Sequence, residues 1–511
     1  MLSFLHRFWR NHRANVAVTF AVAALPVSLM VGMGVDIANA TRVKMALQDA
    51  TDEAAISLAR QQSTIADSAI ASTAKSYVLA DYSKTADITV TNATIDRTNI
   101  IATIDDQATV PMFFSQLIGV SSMTVKAHAV AQGLQLEVSL VLDTSGSMAD
   151  SAGTGGSKIS ALRTAVNDFL TAMFGTQTTS QRVSVGIVPF ATNVRIVAAG
   201  STPSSAYMDT GGVEGDPYGD LDSTTYTRFQ LFTQMSQSWG GCVMTRPPPY
   251  DVTDDAPTTS KPATMFLPWF APDEPDTNLS YFYTQYENDY ISDTGGTCSG
   301  STSGKSDLWR EQRSCKYKNA RPSSGLGPNY LCNSNAITPL TNTLSTLQTA
   351  ANALQANGNT NLLEGVMWGW RVLSPGQPFT QGKAYGAPNN RKVIILMTDG
   401  MNNYGGENNM NDSSYFTYGF ARQGLIGQVT NDNDTLDNLL DAKTLTACTN
   451  AKAMGIVIYT IGFGSGANGS SSLLQGCASD PSYYYAPQNS SDLDPVFQQI
   501  AQSINNLRLS Q

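Results

Sequence analysis

Histidine is nearly absent from the sequence, which has only His6, His12 and His128 among its 511 residues. This scarcity excludes histidine-rich zinc sites, HExxH metalloproteases and Ser-His-Asp triads built on several candidate histidines. His6 and His12 precede a long apolar run. His128 stands in a strand-like stretch, residues 121–131, where we expect a structural role. The sequence therefore argues against catalysis by histidine.

Charged side chains are also scarce, at 14% of the chain, compared with about 25% in an average soluble domain. Ser, Thr, Asn, Gln and Gly supply the polarity instead, as is common in exported proteins. The net charge of −10 and the isoelectric point near 4.8 exclude a nucleic-acid binder dominated by phosphate contacts. Hydrophobic residues make up 41%, so the chain can bury a sizeable core.

No C-x-x-C motif occurs, which argues against zinc ribbons and thioredoxin-like redox chemistry. The six cysteines all follow the N-terminal apolar run, and an even number in an exported domain predicts disulfides. We expect Cys448, late in a predicted helix, to pair with Cys477, which follows the next short helix. The other four cysteines allow three pairings; they are Cys242, Cys298, Cys315 and Cys332.

The long apolar run covers residues 14–35 and contains no charged residue. In a helix it would measure about 33 Å, enough to cross a hydrocarbon core of about 30 Å. Arg7, Arg10 and Arg13 precede it and Asp36 follows it, which predicts a retained single-pass anchor with its N-terminus inside. Residues 1–13 would be cytoplasmic and all later domains periplasmic or otherwise extracytoplasmic. Cleavage of a signal peptide near residues 38–40 is the alternative.

Residues 36–132 predict a helical stalk joined to a small α+β module. Apolar residues recur at helical spacing as far as Leu58. Alternating runs at 88–95 and 99–104 predict two strands, which are followed by a short apolar helix at 111–119 and a strand at 123–131.

Residues 133–508 change to an α/β pattern. Apolar runs at 136–142, 182–190, 392–397 and 456–461 predict strands, and helical segments are predicted at 159–173, 340–356, 361–373, 436–454 and 493–507. This alternation predicts a doubly wound, mostly parallel sheet with its site at the carboxyl ends of the strands. Two insertions interrupt it, at 201–337 and 402–434. The first is rich in aromatic residues, such as those at 266–270 and 281–283, and we expect most of them to form its own disulfide-tied core.

Oxygen-bearing side chains follow two of these strands. Asp143, Ser145 and Ser147 follow the first in a D-x-S-x-S spacing, and Asp399 follows the strand at 392–397. Carboxylate and hydroxyl oxygens are hard ligands that suit Mg²⁺, Ca²⁺ or Mn²⁺. The sequence therefore predicts a site for a hard divalent cation and no catalytic residues.

The motif at 143–148 resembles the metal-ion-dependent adhesion site of von Willebrand factor A domains. Thr360, in the sequence Gly358-Asn359-Thr360-Asn361, fits the threonine ligand of that family, and Thr398-Asp399-Gly400 fits its third loop. The resemblance implies that Ser145, Ser147 and Thr360 offer hydroxyls to the ion. Asp143 and Asp399 would bind directly or through water. Thr360 alone could equally cap the helix that follows it.

The whole chain resembles the TadG-like proteins of Flp/Tad pilus systems, over roughly 14–198 and 338–508. Residues 13–18, 369–375 and 477–485 carry the likeness, although the glutamate of processed pilins is missing early in the apolar run. The resemblance implies a non-enzymatic adhesion and assembly protein of the bacterial inner membrane that binds a carboxylate of a protein partner and no nucleic acid. Ligation would be coupled to a shift of the C-terminal helices. The alternatives are a metal-assisted hydrolase of the cell envelope and an A-domain protein of chelatase or chaperone type.

Overall fold

A computed structural model describes residues 12–60, 65–82, 87–97, 100–153, 156–213, 215–222, 226–276, 286–322 and 325–507. The chain forms two compact units, Met1–Leu134 and Gln135–Gln511. Arg7, Arg10 and the aromatic residues 281–283 lie outside the described residues, as does most of the predicted cytoplasmic tail.

Unit 1 begins with one long helix, α1 (His12–Arg60), which runs through Pro26. It is long and apolar enough to cross a membrane, and large apolar side chains such as Phe20 and Leu25 are exposed along its first part. Its later turns bury Leu47, Ala54 and Leu58 completely. Residues 38–40, the alternative cleavage site, lie inside this continuous helix. A stalk that is apolar first and amphipathic later is therefore present.

The rest of unit 1 packs around the later turns of α1. Helix α2 (Ile70–Asp81) precedes β1 (Asp87–Asp96), β2 (Ile101–Pro111) and β3 (Ser122–Gln132), which form an antiparallel sheet in the order β1-β2-β3. The sequence prediction omitted α2. The helix expected at 111–119 is wrong, because β2 extends to Pro111 and only the 3₁₀ turn Ser115–Ile118 follows. His128 lies on β3, with Nδ1 2.7 Å from Oδ1 of Asp105.

Unit 2 contains the predicted sheet. Its strands are β4 (Gln135–Asp143), β5 (Val183–Phe190), β6 (Thr338–Thr341), β7 (Asn390–Thr398), β8 (Ile456–Gly462) and β9 (Tyr484–Tyr485), in the order β6-β5-β4-β7-β8-β9. All neighbours are parallel except β5 and the edge strand β6. The prediction of a doubly wound, mostly parallel sheet is confirmed.

Helices cover both faces of this sheet. They are α3 (Lys158–Phe174), α6 (Leu344–Ala353), α7 (Leu362–Leu373), α8 (Asn433–Ala453), α9 (Ser471–Cys477) and α10 (Ser490–Leu507), while the first insertion contains the short helices α4 (Arg228–Gln234) and α5 (Asp307–Glu311). Helix α6 begins later than the predicted residue 340, because Leu340 belongs to the edge strand β6. One apolar cluster includes α3 and α10, where the rings of Phe169 and Phe497 meet edge to face. A second cluster includes α7 and α8.

The first insertion packs onto α7. Its Phe266 ring lies 5.0 Å from that of Trp368, and Thr245 donates to buried Glu364. Trp269 and Phe270 are fully buried. The expectation that the insertion aromatics form a core of their own is wrong for Phe270, which belongs to the apolar cluster shared with the sheet and α7, because the insertion packs directly onto that helix. Disulfides join Cys242 to Cys332 and Cys298 to Cys315, and Cys448 pairs with Cys477 as the sequence predicts.

Candidate functional site

The candidate site lies where the strand order of the unit 2 sheet reverses. From β4 the chain proceeds first to β5 and β6 on one side, and then to β7, β8 and β9 on the other. Strands β4 and β7 are parallel neighbours in register, with Leu142 opposite Met397. Their carboxyl ends therefore meet at one edge, and in open α/β sheets this reversal point is where ligands bind.

Asp143 ends β4 and is fully buried. The backbone N–H of Ser145 donates to its Oδ1 at 2.7 Å, and the Thr398 hydroxyl donates to its Oδ2 at 2.6 Å. Burial, and then the nearby charge of Asp399, raises the pKa of Asp143 to about 6, although these two donors oppose the rise. The carboxylate is thus fixed in place by donors from both strand ends.

Ser145, Ser147 and Asp399 form a continuous polar chain beside Asp143. The two serine hydroxyl oxygens lie 3.1 Å apart, and Ser147 donates to Oδ1 of Asp399 at 2.7 Å. The ammonium group of Lys158, at the first position of α3, lies 2.6 Å from Oδ2 of Asp399. Asp399 is completely buried, so Lys158 supplies its compensating charge.

The loop before α7 lies against the same place. The backbone N–H of Gly146 donates to the carbonyl oxygen of Gly358 at 2.8 Å. The Thr360 hydroxyl borders Gly400, since a Cβ built on this glycine would lie 3.9 Å from the Thr360 Oγ1. The N-cap of α7 is Asn361, whose side chain accepts from the N–H of Glu364. Thr360 therefore does not cap the helix.

The five predicted residues lie at this one edge of the sheet and are called the oxygen cluster below. They are Asp143, Ser145, Ser147, Thr360 and Asp399. The donor set of two carboxylates and three hydroxyls suits a hard divalent cation. The described part of the chain contains no group of three or more His, Cys, Asp or Glu side chains placed to hold a metal, so ligation here would depend on the hydroxyls.

Sequence reasoning missed two residues of the site. Thr398 was noticed only as part of a motif, yet it holds Asp143. Lys158 was missed entirely. The signal that could have revealed it is a cation at a helix N-terminus, which is unfavourable unless a nearby anion compensates it.

The segment after the serines contacts α10, the last helix among the described residues. The carbonyl oxygen of Ala152 accepts a hydrogen bond from the N–H of Ser490, at the start of α10, at 3.1 Å. A Cβ on Gly153 would lie 2.8 Å from the Asn489 side-chain oxygen. A displacement of this segment would therefore disturb the hydrogen bond to the first turn of α10.

The N-terminal segment is similar to a known protein family. Residues 14–61 match the family model described as putative Flp pilus-assembly TadE/G-like. This match confirms the resemblance expected for the N-terminal segment. A comparison with curated proteins finds no match.

Solved structures similar to this chain include domains of pilus proteins. The von Willebrand factor domain of the type V pili tip protein Mfa5 from Porphyromonas gingivalis is 13% identical with a TM-score of 0.34, covering 73% of this chain and 96% of that chain. The pilus adhesin SpaC from Lactobacillus rhamnosus GG is 13% identical with a TM-score of 0.32, covering 82% of this chain and 34% of that chain. The pilus adhesin RrgA from Streptococcus pneumoniae is 10% identical with a TM-score of 0.32, covering 82% and 49%. This chain thus spans half or less of the two adhesins.

Proposed function

We propose that this chain is a membrane-anchored, non-enzymatic adhesion and assembly protein of a Flp/Tad-type pilus system. Its oxygen cluster would bind Mg²⁺, with Ca²⁺ or Mn²⁺ as alternatives, and through the ion a carboxylate of a protein partner. The match of residues 14–61 to the TadE/G-like model supports the pilus assignment. The observation that carries the metal assignment is the meeting of two buried aspartates with two serine hydroxyls at the ends of adjacent strands.

Each residue of the cluster has a definite task in this proposal. Thr398 and the Ser145 N–H hold Asp143, and Ser147 orients Asp399 through its hydrogen bond. Ser145, Ser147 and Thr360 would present hydroxyl oxygens. Two carboxylates alone leave a divalent ion electrophilic, so that when bound it offers a coordination position to an incoming carboxylate.

The contact between Ala152 and Ser490 supports coupling of this site to the C-terminal helix. A partner that draws the segment after the serines toward itself would pull on the first turn of α10. Helix α10 packs on α3 through Phe497 and Phe169, so it would move by sliding along α3. This coupling is what the resemblance to von Willebrand A domains implies.

The metal proposal is tested by titration calorimetry of Mg²⁺ into the full chain in detergent micelles. We expect the wild-type chain to bind and both Asp143→Asn and Asp399→Asn to lose binding, because each removes a charged ligand. Asp150→Asn is the matched control, since Asp150 is an exposed carboxylate beside the motif and outside the cluster. Circular dichroism checks that the variants are folded. Unchanged affinity in Asp143→Asn would show that the site is wrongly assigned.

The partner proposal is tested by capture from cell envelopes with the full chain as bait. We expect a protein to be retained in Mg²⁺, released by a chelator, and absent with Asp143→Asn. Retention that survives both the chelator and the substitution would contradict a metal-bridged contact.

A further inference from the structure

The connection between β2 and β3, residues 112–121, exposes several large apolar side chains and is called the apolar turn below. The exposed fractions are 79% for Phe113, 73% for Leu117 and 59% for Ile118. Phe114 and Val120 are also exposed. Single exposed apolar residues are ordinary, but a contiguous group of this kind marks a contact surface.

The apolar turn is fastened to α1 at Asp36. The backbone N–H groups of Phe113, Phe114 and Ser115 donate to the Asp36 carboxylate at 3.1, 2.9 and 2.7 Å, and the Ser115 hydroxyl donates at 2.9 Å. Asp36 is the first charged residue after the apolar run 14–35. These four bonds place the turn at the end of the segment that is apolar enough to cross a membrane.

Phe114 reaches back along the apolar run itself. A Cβ built on Gly32 would lie 2.5 Å from the Phe114 ring, so only glycine allows this approach. Gly32 precedes Asp36 by about one helical turn, or roughly 6 Å along the axis. Gly34 lies on another side of α1, and a Cβ built on it would have no neighbouring atom within 4 Å.

We propose that the apolar turn enters the interfacial layer of the bilayer that holds α1. Met30, Val31 and Val35 lie in the two helical turns of α1 before Asp36 and are exposed. The apolar turn and this part of α1 therefore present apolar surface to the same layer. Phe113, Leu117 and Ile118 then sit among the upper acyl carbons, at the depth of about 5–10 Å typical of interfacial segments. Asp36 tolerates this depth because four donors satisfy its carboxylate. The inference rests on the membrane anchorage in the proposed function, concerns unit 1 alone and is independent of the oxygen cluster.

The test places an environment-sensitive NBD label at Leu117→Cys in the full chain, reconstituted in phosphatidylethanolamine and phosphatidylglycerol vesicles. All six native cysteines are in disulfides, so the new thiol is labelled selectively. We expect lipids carrying a quencher near the headgroup to quench this label at least threefold more than one at Thr94→Cys. Thr94 is exposed on β1 and pairs with Thr103 of β2. Thr103 lies roughly 26 Å along β2 from Pro111, where the apolar turn begins, so a label at position 94 is far from the turn.

A second pair of variants tests whether the fastening to α1 sets the depth. Gly32→Leu should displace Phe114 and lower the quenching at position 117 at least twofold, whereas Gly34→Leu should leave it unchanged. The proposal is overturned if labels at 117 and 94 are equally exposed to water, or if Gly32→Leu has no effect. A third result also overturns it: the label at 117 is shielded from water but not quenched by the lipid quencher, and it becomes exposed to water when the protein is diluted with more lipid. That result would identify a second copy of the chain, and not the bilayer, as the occupant.

Discussion

At the scale of single residues, Lys158 forms an ion pair with one carboxylate of the oxygen cluster. Its ammonium group lies against Asp399, where an incoming divalent ion would also have to approach. Lys158 therefore stabilises the ion-free cluster and opposes a second cation through charge repulsion. If the cluster binds a divalent ion as proposed, removing Lys158 should therefore change the stability of the fold and the metal affinity in opposite directions.

We predict that Lys158→Gln binds Mg²⁺ more tightly, by about tenfold or 1.4 kcal/mol, and is less stable than the wild type in a chelator. Calorimetry and thermal unfolding of the full chain in micelles measure the two effects. Lys383→Gln is the control for the charge change, because Lys383 is exposed and its backbone N–H binds Glu137, near the opposite end of β4. Weaker Mg²⁺ binding in Lys158→Gln would instead mark Lys158 as a supporting part of the site.

Asp106 gives unit 1 a dependence on pH. Burial raises the pKa of Asp106 to about 6, the hydrogen bond from Thr51 lowers it, and the charge of Asp105 raises it. Because the folded state holds this proton more tightly than the unfolded state, the free energy of unfolding falls as pH rises from about 4 to about 6 and stays lower above that. A shift of this size corresponds to roughly 2–3 kcal/mol.

We predict that Asp106→Asn removes most of this pH dependence and stabilises unit 1 at pH 7. Hydrogen exchange of the β2 amides between pH 4 and 8, corrected for intrinsic rates, measures it. Asp49→Asn, an exposed substitution on α1, should keep the wild-type profile. If the exchange rates of Asp106→Asn changed with pH as in the wild type, this carboxyl group would not govern the stability of unit 1.

The residues of the site were predictable to the extent that their signal is local. Asp143, Ser145 and Ser147 follow a buried strand in a fixed spacing, and Asp399 ends another such strand. Lys158 depends on a contact across 241 positions of sequence, which no local pattern encodes. Thr360 and Asn361 are both good N-caps, and only the backbone geometry assigns the cap to Asn361.

At the scale of elements, α7 is buried on every side. Its Gly365 and Gly369 face the sheet, and a Cβ on Gly369 would lie 2.3 Å from Cγ2 of Val141. Its other sides carry Glu364 and Arg371, which are buried because the first insertion covers them. The sequence predicted the helix but not this environment, since the covering residues come from an insertion with no periodic pattern.

We predict that Gly369→Ala destabilises unit 2 by about 1–2 kcal/mol, because the clash with Val141 outweighs the better helix propensity of alanine. Adding Val141→Ala makes room for the new methyl group, so the double variant should be more stable than the sum of the two single effects by at least about 0.5 kcal/mol. Urea unfolding followed by tryptophan fluorescence measures the cycle. Strict additivity would mean that α7 adjusts without contacting Val141.

At the scale of the whole molecule, the division into an apolar helix, a small module and an α/β unit was predictable because each has a long, distinct pattern. The strand order was not predictable, because the segments on the two sides of β4 show the same alternation of strands and helices. The insertion was recognised as tied by disulfides, but its pairings needed the fold. Three disulfides suit the extracytoplasmic location that the sequence predicts.

We predict that deleting residues 1–35 moves the chain from the membrane pellet to the supernatant after alkaline carbonate extraction. The apolar turn remains in this variant, but one interfacial contact gives only marginal, reversible binding. Immunoblotting of the fractions, with the full chain as the control, measures the outcome. Continued retention in the pellet would reveal an anchor elsewhere in the chain.

The continuity of α1 has a mechanical consequence for unit 1. No hinge separates the part of the helix that suits the hydrocarbon layer from the part whose side chains form the module's core. A thinner bilayer would make the helix lean to match its apolar length. The three-stranded sheet would lean by the same angle, so lipid thickness would set the direction in which unit 1 points away from the membrane.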